Sequence, residues 1–364
     1  MSKVPALLKW IGNKQRFAET IISYMPEQFN NYYEPFLGSG AVMAQLLYQN
    51  STTCTPRFTH SYASDILPFL IDIFNIVKYD PPQIKNYYSK EIEDYYKDPS
   101  NKYNEIRDRF NSNHNALDFC LLSRTCYSGI IRFRKSDGYM STPKGPHNPI
   151  KPETFSKRVD LWHDLIKNST FLTMSFEECM DKAQPGDVVY CDPPYTHSQS
   201  IIYGAQTFNI ETLFNKIAEC KARGVYVMLS INGTRESNKK DISVTPPMGL
   251  FEREIFVNCG TSMIDRLQNA GQTMQNEVVH DKLLLGRYFF TKEIYSTLVS
   301  YLLCKYFYFS NTNIYSCAII KNVFSILSQY SVALQLYCSF IIISLSLNPA
   351  STNFCIEFIP SGST

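Results

Sequence analysis

The residues best suited to chemistry stand in one short stretch, Asp192, Pro193, Pro194 and Tyr195. The two prolines have no N–H to donate, so the turn offers one carboxylate, carbonyl oxygens and an aromatic ring. The exocyclic amine of a nucleobase has two N–H donors. Asp192 and the Pro193 carbonyl would accept from it while Tyr195 stacks on the ring. Taken alone, the tetrapeptide is equally consistent with an ordinary loop.

This turn needs an element to position it. The run DVVYC, from Asp187 to Cys191, is short, apolar and β-branched and ends in a turn signal. It therefore predicts a buried strand that delivers Asp192 to the carboxyl edge of a sheet. Open α/β sheets bind their ligands at that edge.

A glycine-rich loop lies earlier in the chain. The run NNYYEPFL is strand-like, Gly38 and Gly40 make a tight turn, and a helix-forming segment begins at Ala41. This order lets a cofactor approach the backbone and a helix N-terminus, although many strand-to-helix turns share it.

An acidic residue ends the next strand-like run, HSYASD, at Asp65. An acid at that point after a glycine loop is placed to accept from both ribose hydroxyls of a nucleoside cofactor. The alternative role for Asp65 is to cap the helix predicted from Pro68 to Lys78.

The composition is that of an ordinary globular chain of 364 residues, with 44% hydrophobic residues and a formal net charge of +2. Its length allows two or three domains. The eleven cysteines show no C-x-x-C pair and no Cys/His metal spacing. We therefore expect reduced thiols, no metal site and, with no secretory signal at the start, a cytoplasmic location.

Strand and helix patterns alternate up to about residue 67 and again after Phe155. The alternation predicts an α/β fold, one doubly wound sheet interrupted by an inserted domain. We assign residues 1–67 and 155–286 to the sheet domain, 68–154 to the insertion and 287–364 to an atypical apolar tail.

The insertion changes in character along its length. It begins as a tyrosine-rich helical stretch with little core of its own and then becomes basic and loop-like. Eight Lys or Arg face two acids between Leu121 and Arg158, with Tyr127, Phe133 and Tyr139 among them. This asymmetry indicates a polyanion contact, and a solvated basic loop is the alternative.

The order of these motifs resembles that of Dam-type DNA adenine-N6 methyltransferases (D12 class, alpha group). The residues that carry the resemblance span about 5 to 285 and are Lys9-Trp10-x-Gly12-x-Lys14, Glu34-Pro35-Phe36-x-Gly38-x-Gly40, Ser64-Asp65, NIVK at 75–78, and DVVYCDPPY. The resemblance implies a Rossmann-like S-adenosylmethionine-dependent methyltransferase sheet with an inserted, mostly helical DNA-recognition domain. It further implies that N6 of a flipped adenine in a short site of double-stranded DNA receives the methyl group.

The resemblance also implies roles for individual residues. The catalytic turn would be Asp192, Pro193, Pro194 and Tyr195. The cofactor would be held by Trp10, Lys14, Phe36, Gly38, Gly40, Asp65 and Asp192. The DNA contacts would be Lys9, Arg124, Tyr127, Ser128, Arg132 and Arg134, with an aromatic residue and a base-reading arginine on a recognition hairpin.

One departure bears on specificity. Family members that modify GATC have an Arg-x-x-Tyr-Asn-Gly run, whereas this chain has Ser128 in place of the asparagine and IIRFRKSDGYMSTP after it. The segment is more similar to type II restriction-modification methyltransferases. We therefore expect a recognition site other than GATC and, as a partner, a cognate restriction endonuclease acting on the same site.

Chemical argument supports methyl transfer without a metal or a covalent intermediate. The adenine N6 lone pair is delocalised into the ring, and hydrogen bonds to Asp192 and the Pro193 carbonyl would localise it. No cysteine nucleophile motif indicates cytosine C5 chemistry. Two other classes stay open: an N-methyltransferase acting on RNA or a protein glutamine, and a non-catalytic DNA-binding relative.

The tail differs from everything before it, with six charged residues in 287–364. Its uncharged run from Asn322 to Cys355 is long enough to cross a bilayer. That run is rich in Ser, Gln and Tyr and has no flanking Lys/Arg cluster, so we expect no membrane anchor. The catalytic domain is predicted to end near Leu285.

Overall fold

One sheet organises the part of the chain that the structure, a computed structural model, describes: residues 3–194, 208–235, 245–261 and 278–286. The three runs predicted above, before the glycine loop, up to Asp65 and up to Cys191, are strands of this sheet. The sheet has seven strands in all. They are β1 (Asn31–Glu34), β2 (His60–Asp65), β3 (Ser169–Thr173), β4 (Val188–Cys191), β5 (Tyr226–Arg235), β6 (Arg253–Thr261) and β7 (Val278–Leu285).

The strands lie in the order β3-β2-β1-β4-β5-β7-β6. The first five are parallel, and β7 is antiparallel to both β5 and β6. The carboxyl ends of β1, β2 and β4 therefore meet at one edge of the sheet. Because β7 runs the opposite way, its first residues reach that same edge.

Helices connect and cover the strands, and proline or a polar cap begins many of them. They are α1 (Ala18–Ile22), α2 (Ala41–Ser51), α3 (Pro68–Tyr79), α4 (Pro81–Lys97), α5 (Pro99–Asn113), α6 (Ala116–Thr125), α7 (Pro152–Leu165), α8 (Phe176–Asp181) and α9 (Ile210–Ala222). Helix α8 was not predicted from the sequence, although its signal was present: Ser175 and Glu178 form a capping box.

Two expectations for the segment after α3 are wrong. The stretch from Ala116 to Thr125, expected to be loop-like, is helix α6. The tyrosine-rich stretch also has a core, since Tyr88, Tyr95 and Tyr103 are no more than 1% exposed and belong to the main core cluster. Their rings are buried at helical spacing. The Tyr103 hydroxyl donates a hydrogen bond to the Thr142 carbonyl at 2.7 Å.

The N-terminal segment is held in place by its backbone carbonyls. Each accepts a hydrogen bond from a side chain of another element: Val4 from Gln15, Pro5 from Trp162, Ala6 from Arg158 and Leu7 from Arg124, at 2.6 to 2.9 Å. These bonds fix the backbone immediately before Lys9 and Trp10. The basic and aromatic turn is therefore anchored to α6 and α7.

The described residues fall in one compact unit, Met1–Phe289. The predicted tail, 287–364, lies outside the described residues. Among the residues that are described, no helix is both long and apolar enough to cross a membrane. Six of the cysteines within them are free thiols: Cys54, Cys120, Cys126, Cys179, Cys191 and Cys220.

Candidate active site

A cavity of about 360 Å³ opens at the carboxyl edge of the sheet. Side chains from the N-terminal segment, the glycine loop and the ends of β2 and β4 line it. Those predicted to bind the cofactor or substrate are Trp10, Lys14, Phe36, Gly38, Asp65, Asp192, Pro193 and Pro194. The structure thus brings together residues that are separated by up to 184 positions in the chain.

The glycine loop approaches the cavity wall closely. Gly38 has φ +47° and Gly40 has φ +64°, conformations that side chains disfavour. A Cβ at Gly38 would lie 3.1 Å from the Trp10 indole nitrogen, so it would crowd the cavity. Gly40 stands just behind the lining and is the N-cap residue of α2.

Asp65 joins the glycine loop to the end of β2. One carboxylate oxygen accepts from the Gly38 amide at 3.1 Å, and the other accepts from the Leu67 amide at 3.2 Å. The N-cap of α3 is Leu67, so the alternative role of Asp65 as that cap is wrong. Burial raises the pKa of Asp65 to about 6, although the backbone amides lower it.

A charge cluster stands beside the Asp192 turn. The Lys14 ammonium lies 2.9 Å from Asp192 Oδ1 and 3.5 Å from Asp281 Oδ2, and it donates to the Gly12 carbonyl at 3.2 Å. The Lys14 side chain is only 6% exposed. A lysine ammonium carries three donors, and these three acceptors surround it.

Three effects act on the ionisation of Asp192. Burial raises its pKa above the ordinary value, Lys14 lowers it through charge and a hydrogen bond, and Asp281 raises it again. The lysine is therefore what favours a carboxylate in a site that otherwise disfavours charge. An ionised Asp192 is a stronger acceptor for an amine N–H than a protonated one.

Glu34 is a second buried acid in the cavity wall. It ends β1, is 3% exposed and accepts from the Tyr32 hydroxyl at 2.7 Å. Its pKa is raised to about 8, chiefly by burial and in smaller part by the Asp192 charge, although the hydrogen bond from Tyr32 lowers it. At neutral pH Glu34 is therefore mostly protonated, which limits the negative charge at the sheet edge.

Three phenylalanines form an aromatic wall at the far side of the cavity. Phe36 stacks on Phe176 with ring centroids 5.1 Å apart and meets Phe208 edge-on at 5.8 Å. Phe176 and Phe208 also contact each other edge-on. The wall offers an apolar surface to a planar ring.

A hairpin lies between α6 and α7, in the segment where the recognition hairpin is predicted. Isolated antiparallel bridges join Cys126 to Lys144 and Phe133 to Met140. Gly129, with φ +70°, packs so closely on Lys9 that a Cβ would meet the Lys9 carbonyl oxygen at 2.8 Å. The hairpin base and Lys9 therefore share one surface.

The side chains predicted to contact DNA differ in their surroundings. Lys9, Tyr127, Arg132 and Arg134 are exposed, and Tyr127 presents 38% of its surface. Arg134 forms a bidentate pair with Asp137 and lies over the Tyr139 ring. These contacts leave the exposed Arg132 as the more available of the two hairpin arginines.

Two further residues of that set have backbone or structural roles. Arg124 donates to the Leu7 carbonyl, so its guanidinium is engaged within the protein. Ser128 has φ +55°, a conformation that asparagine and glycine adopt more readily than serine. Their contacts with DNA stay predictions.

Sequence reasoning missed several residues of the cavity. It assigned no role to Glu34, Phe176 or Phe208, nor to Asp281, which lies outside the cavity lining and pairs with Lys14. The signal for Asp281 was an acid at an inward-facing strand position, alternating with Leu283 and Leu285. Tyr195 lies outside the described residues, and among those described no group of three or more His, Cys, Asp or Glu could hold a metal ion.

Comparison with known proteins identifies relatives of the chain. Residues 10–250 match the family of D12 class N6 adenine-specific DNA methyltransferases. A DNA adenine methylase of Vibrio cholerae serotype O1 is 29% identical over 254 residues, covering 66% of this chain and 85% of the relative. A type II methyltransferase of Lactococcus lactis subsp. cremoris is 27% identical (61% and 79% covered), and one of Methanocaldococcus jannaschii is 31% identical (53% and 70% covered).

Proposed function

The chain belongs to the D12 class of N6 adenine-specific DNA methyltransferases, and we propose from this membership how its own residues carry out the transfer. The enzyme methylates adenine N6 in DNA, and its family uses S-adenosylmethionine as the methyl donor. One observation carries our assignment of the site. The Asp192 turn, held by Lys14, opens into the same cavity as the glycine loop and Asp65.

The residues of the cavity fit the donor. S-adenosylmethionine supplies an electrophilic methyl group on a positively charged sulfur. Asp65 would accept from the ribose hydroxyls, and the close backbone at Gly38 and Gly40 would let the nucleoside approach. Trp10 and Phe36 provide aromatic faces, which attract a cation. The pKa of Asp65, about 6, leaves its carboxyl ionised at neutral pH, so Asp65 can accept these hydrogen bonds.

The Asp192 turn would hold the target amine. Asp192 and the Pro193 carbonyl accept the two N6–H groups, which localises the nitrogen lone pair for attack. Pro194 keeps the turn rigid, and Tyr195 would stack on the flipped base. Lys14 acts through Asp192 by favouring its carboxylate form, since the ammonium lies 2.9 Å away.

DNA would be read by the segment between α3 and α7, as an inserted, mostly helical recognition domain. Lys9 and the hairpin share one surface, which supports their joint contact with the duplex. Arg132 would read a base, and Tyr127 would insert into the DNA duplex. Further contacts with the DNA would come from Ser128, Arg124 and Arg134. The hairpin sequence departs from that of GATC enzymes, so we infer a different target site.

We also propose that the chain protects DNA from a cognate restriction endonuclease. Two of the relatives compared above are type II methyltransferases, which supports this role. Family membership favours DNA adenine over RNA or a protein glutamine as the substrate. The intact Asp192 turn favours an active enzyme over a binding protein without activity.

The test is to express the chain in a host that lacks adenine methylation and to sequence its DNA by a method that maps N6-methyladenine. We expect methylation at one short motif that is not GATC. Asp192→Ala is the matched control and should abolish the signal. Methylation absent from the wild-type sample, with soluble protein present, would refute the proposal.

A further inference from the structure

Asp281 occupies a position in the site that the family motifs do not include. Its carboxylate oxygen Oδ2 lies 3.5 Å from the Lys14 ammonium, opposite the Asp192 carboxylate at 2.9 Å. Asp281 is 16% exposed and Lys14 only 6%, so water screens this contact weakly. The cluster therefore consists of one ammonium between two carboxylates.

The strand arrangement explains how Asp281 reaches this place. In β7, which is antiparallel to β5, Asp281 is in register with Asn232. Side chains alternate across the sheet, so Asp281 lies on the same face as Leu283 and Leu285. Those two leucines belong to the core cluster that includes Tyr190. The face is therefore the one that Lys14 covers.

We propose that Asp281 is a positioning residue for methyl transfer, which holds the Lys14 ammonium against Asp192 and so orients the acceptor carboxylate. The inference rests on the proposed function. A lysine has four rotatable side-chain bonds, and a single partner would leave the ammonium several orientations. Asp281 and the Gly12 carbonyl restrict it to the one that faces Asp192.

The choice of an acid has an electrostatic consequence for the site. Asp281 opposes ionisation of Asp192, whereas Lys14 favours it. An apolar residue at 281 would remove that opposition, so the carboxylate at this place is better explained by its grip on Lys14. Asp281 is not itself part of the cavity lining, so we place its effect on the site in its ion pair with Lys14, which is.

The experiment uses the full chain and compares Asp281→Asn with wild type in kcat, KM for DNA, S-adenosylmethionine affinity and melting temperature. We expect kcat to fall on the order of 10- to 100-fold, because a small displacement of a reacting group costs that much. Both binding constants should stay within about threefold, which is the signature of a lost transition-state contact. Asp281→Glu should recover part of the rate.

A matched control is Glu254→Gln. Glu254 pairs with Lys282 at 2.9 Å on the neighbouring strand, and Lys282 follows Asp281 in β7 but faces the opposite side of the sheet. Neither residue of this partly exposed pair lines the cavity, so the variant should keep the wild-type kcat.

A double-mutant cycle with Lys14→Met separates a positioning role from a general structural one. If Asp281 acts through Lys14, adding Asp281→Asn to Lys14→Met lowers kcat no further. The inference would be overturned if the effects of the two substitutions on kcat multiply in the double variant. It would also be overturned if Asp281→Asn keeps the wild-type kcat or fails to fold. An inactive wild-type chain would instead refute the proposed function.

Discussion

Replacing Asp192 with alanine tests the site most directly, since it removes the acceptor carboxylate and one partner of Lys14. Removing one group that stabilises a transition state lowers kcat by about 10²- to 10³-fold, or about 3–4 kcal/mol. The cofactor contacts proposed for Asp65 and the glycine loop are untouched. S-adenosylmethionine affinity should therefore change by no more than about threefold.

The stability cost of the same change follows from the charge cluster. A buried ammonium that loses its only partner costs about 3–5 kcal/mol. Lys14 keeps Asp281 at 3.5 Å and the Gly12 carbonyl at 3.2 Å. We therefore expect a loss of about 1.5–3 kcal/mol, the range for a hydrogen bond to a charged group.

Two assays measure these effects. Single-turnover transfer of a labelled methyl group to duplex DNA gives the rate, and denaturant unfolding gives the free energy of unfolding. Wild-type transfer by Asp192→Ala would refute the acceptor role. A transfer rate that is kept at saturating S-adenosylmethionine while the affinity for S-adenosylmethionine falls would move Asp192 into the cofactor site. A stability loss near 5 kcal/mol would show that Asp281 does not retain Lys14.

Three further predictions concern charge, reading and domain limits. The stability that protonated Glu34 contributes is fully present below the ordinary carboxyl pKa and is lost as pH rises through about 8. Between pH 6 and 8, the free energy of unfolding of Glu34→Gln should therefore rise relative to that of wild type by about 1 kcal/mol per pH unit, as measured by thermal unfolding. A difference that stays constant with pH would contradict this. In competition binding, Arg132→Ala should reduce discrimination at one base pair by about 1–3 kcal/mol. Lys135→Ala, at an exposed lysine, should weaken binding to all DNA sequences alike. If both variants weaken binding uniformly, Arg132 contacts phosphate only. A chain ending at Gly286, whose amide bonds to Val227, should fold, methylate DNA and be more soluble than the full chain; loss of cofactor binding would place the tail within the domain.

Local pattern was sufficient for most of the sheet. Strands and helices are recognised by apolar residues that recur with periods of two and 3.6 residues. Parallel strands bring their carboxyl ends to one edge of the sheet. Gly38, Asp65 and Asp192 each follow or end a predicted strand, so their meeting at the cavity followed from the sequence. The wrong expectation of a weak core arose from treating tyrosines as polar, although Tyr103 is fully buried with its hydroxyl bonded.

The charge state and the partners of the site were decided only by the tertiary structure. Lys14, Asp192 and Asp281 come from the N-terminal segment, the end of β4 and the start of β7, and no sequence spacing relates them. Arg124 and Arg132 have the same side chain, yet Arg124 donates a hydrogen bond to the Leu7 carbonyl whereas Arg132 is exposed. Residue type sets what a group can donate, accept or ionise. Burial and neighbouring charge set what it does, and both depend on the distances that folding creates.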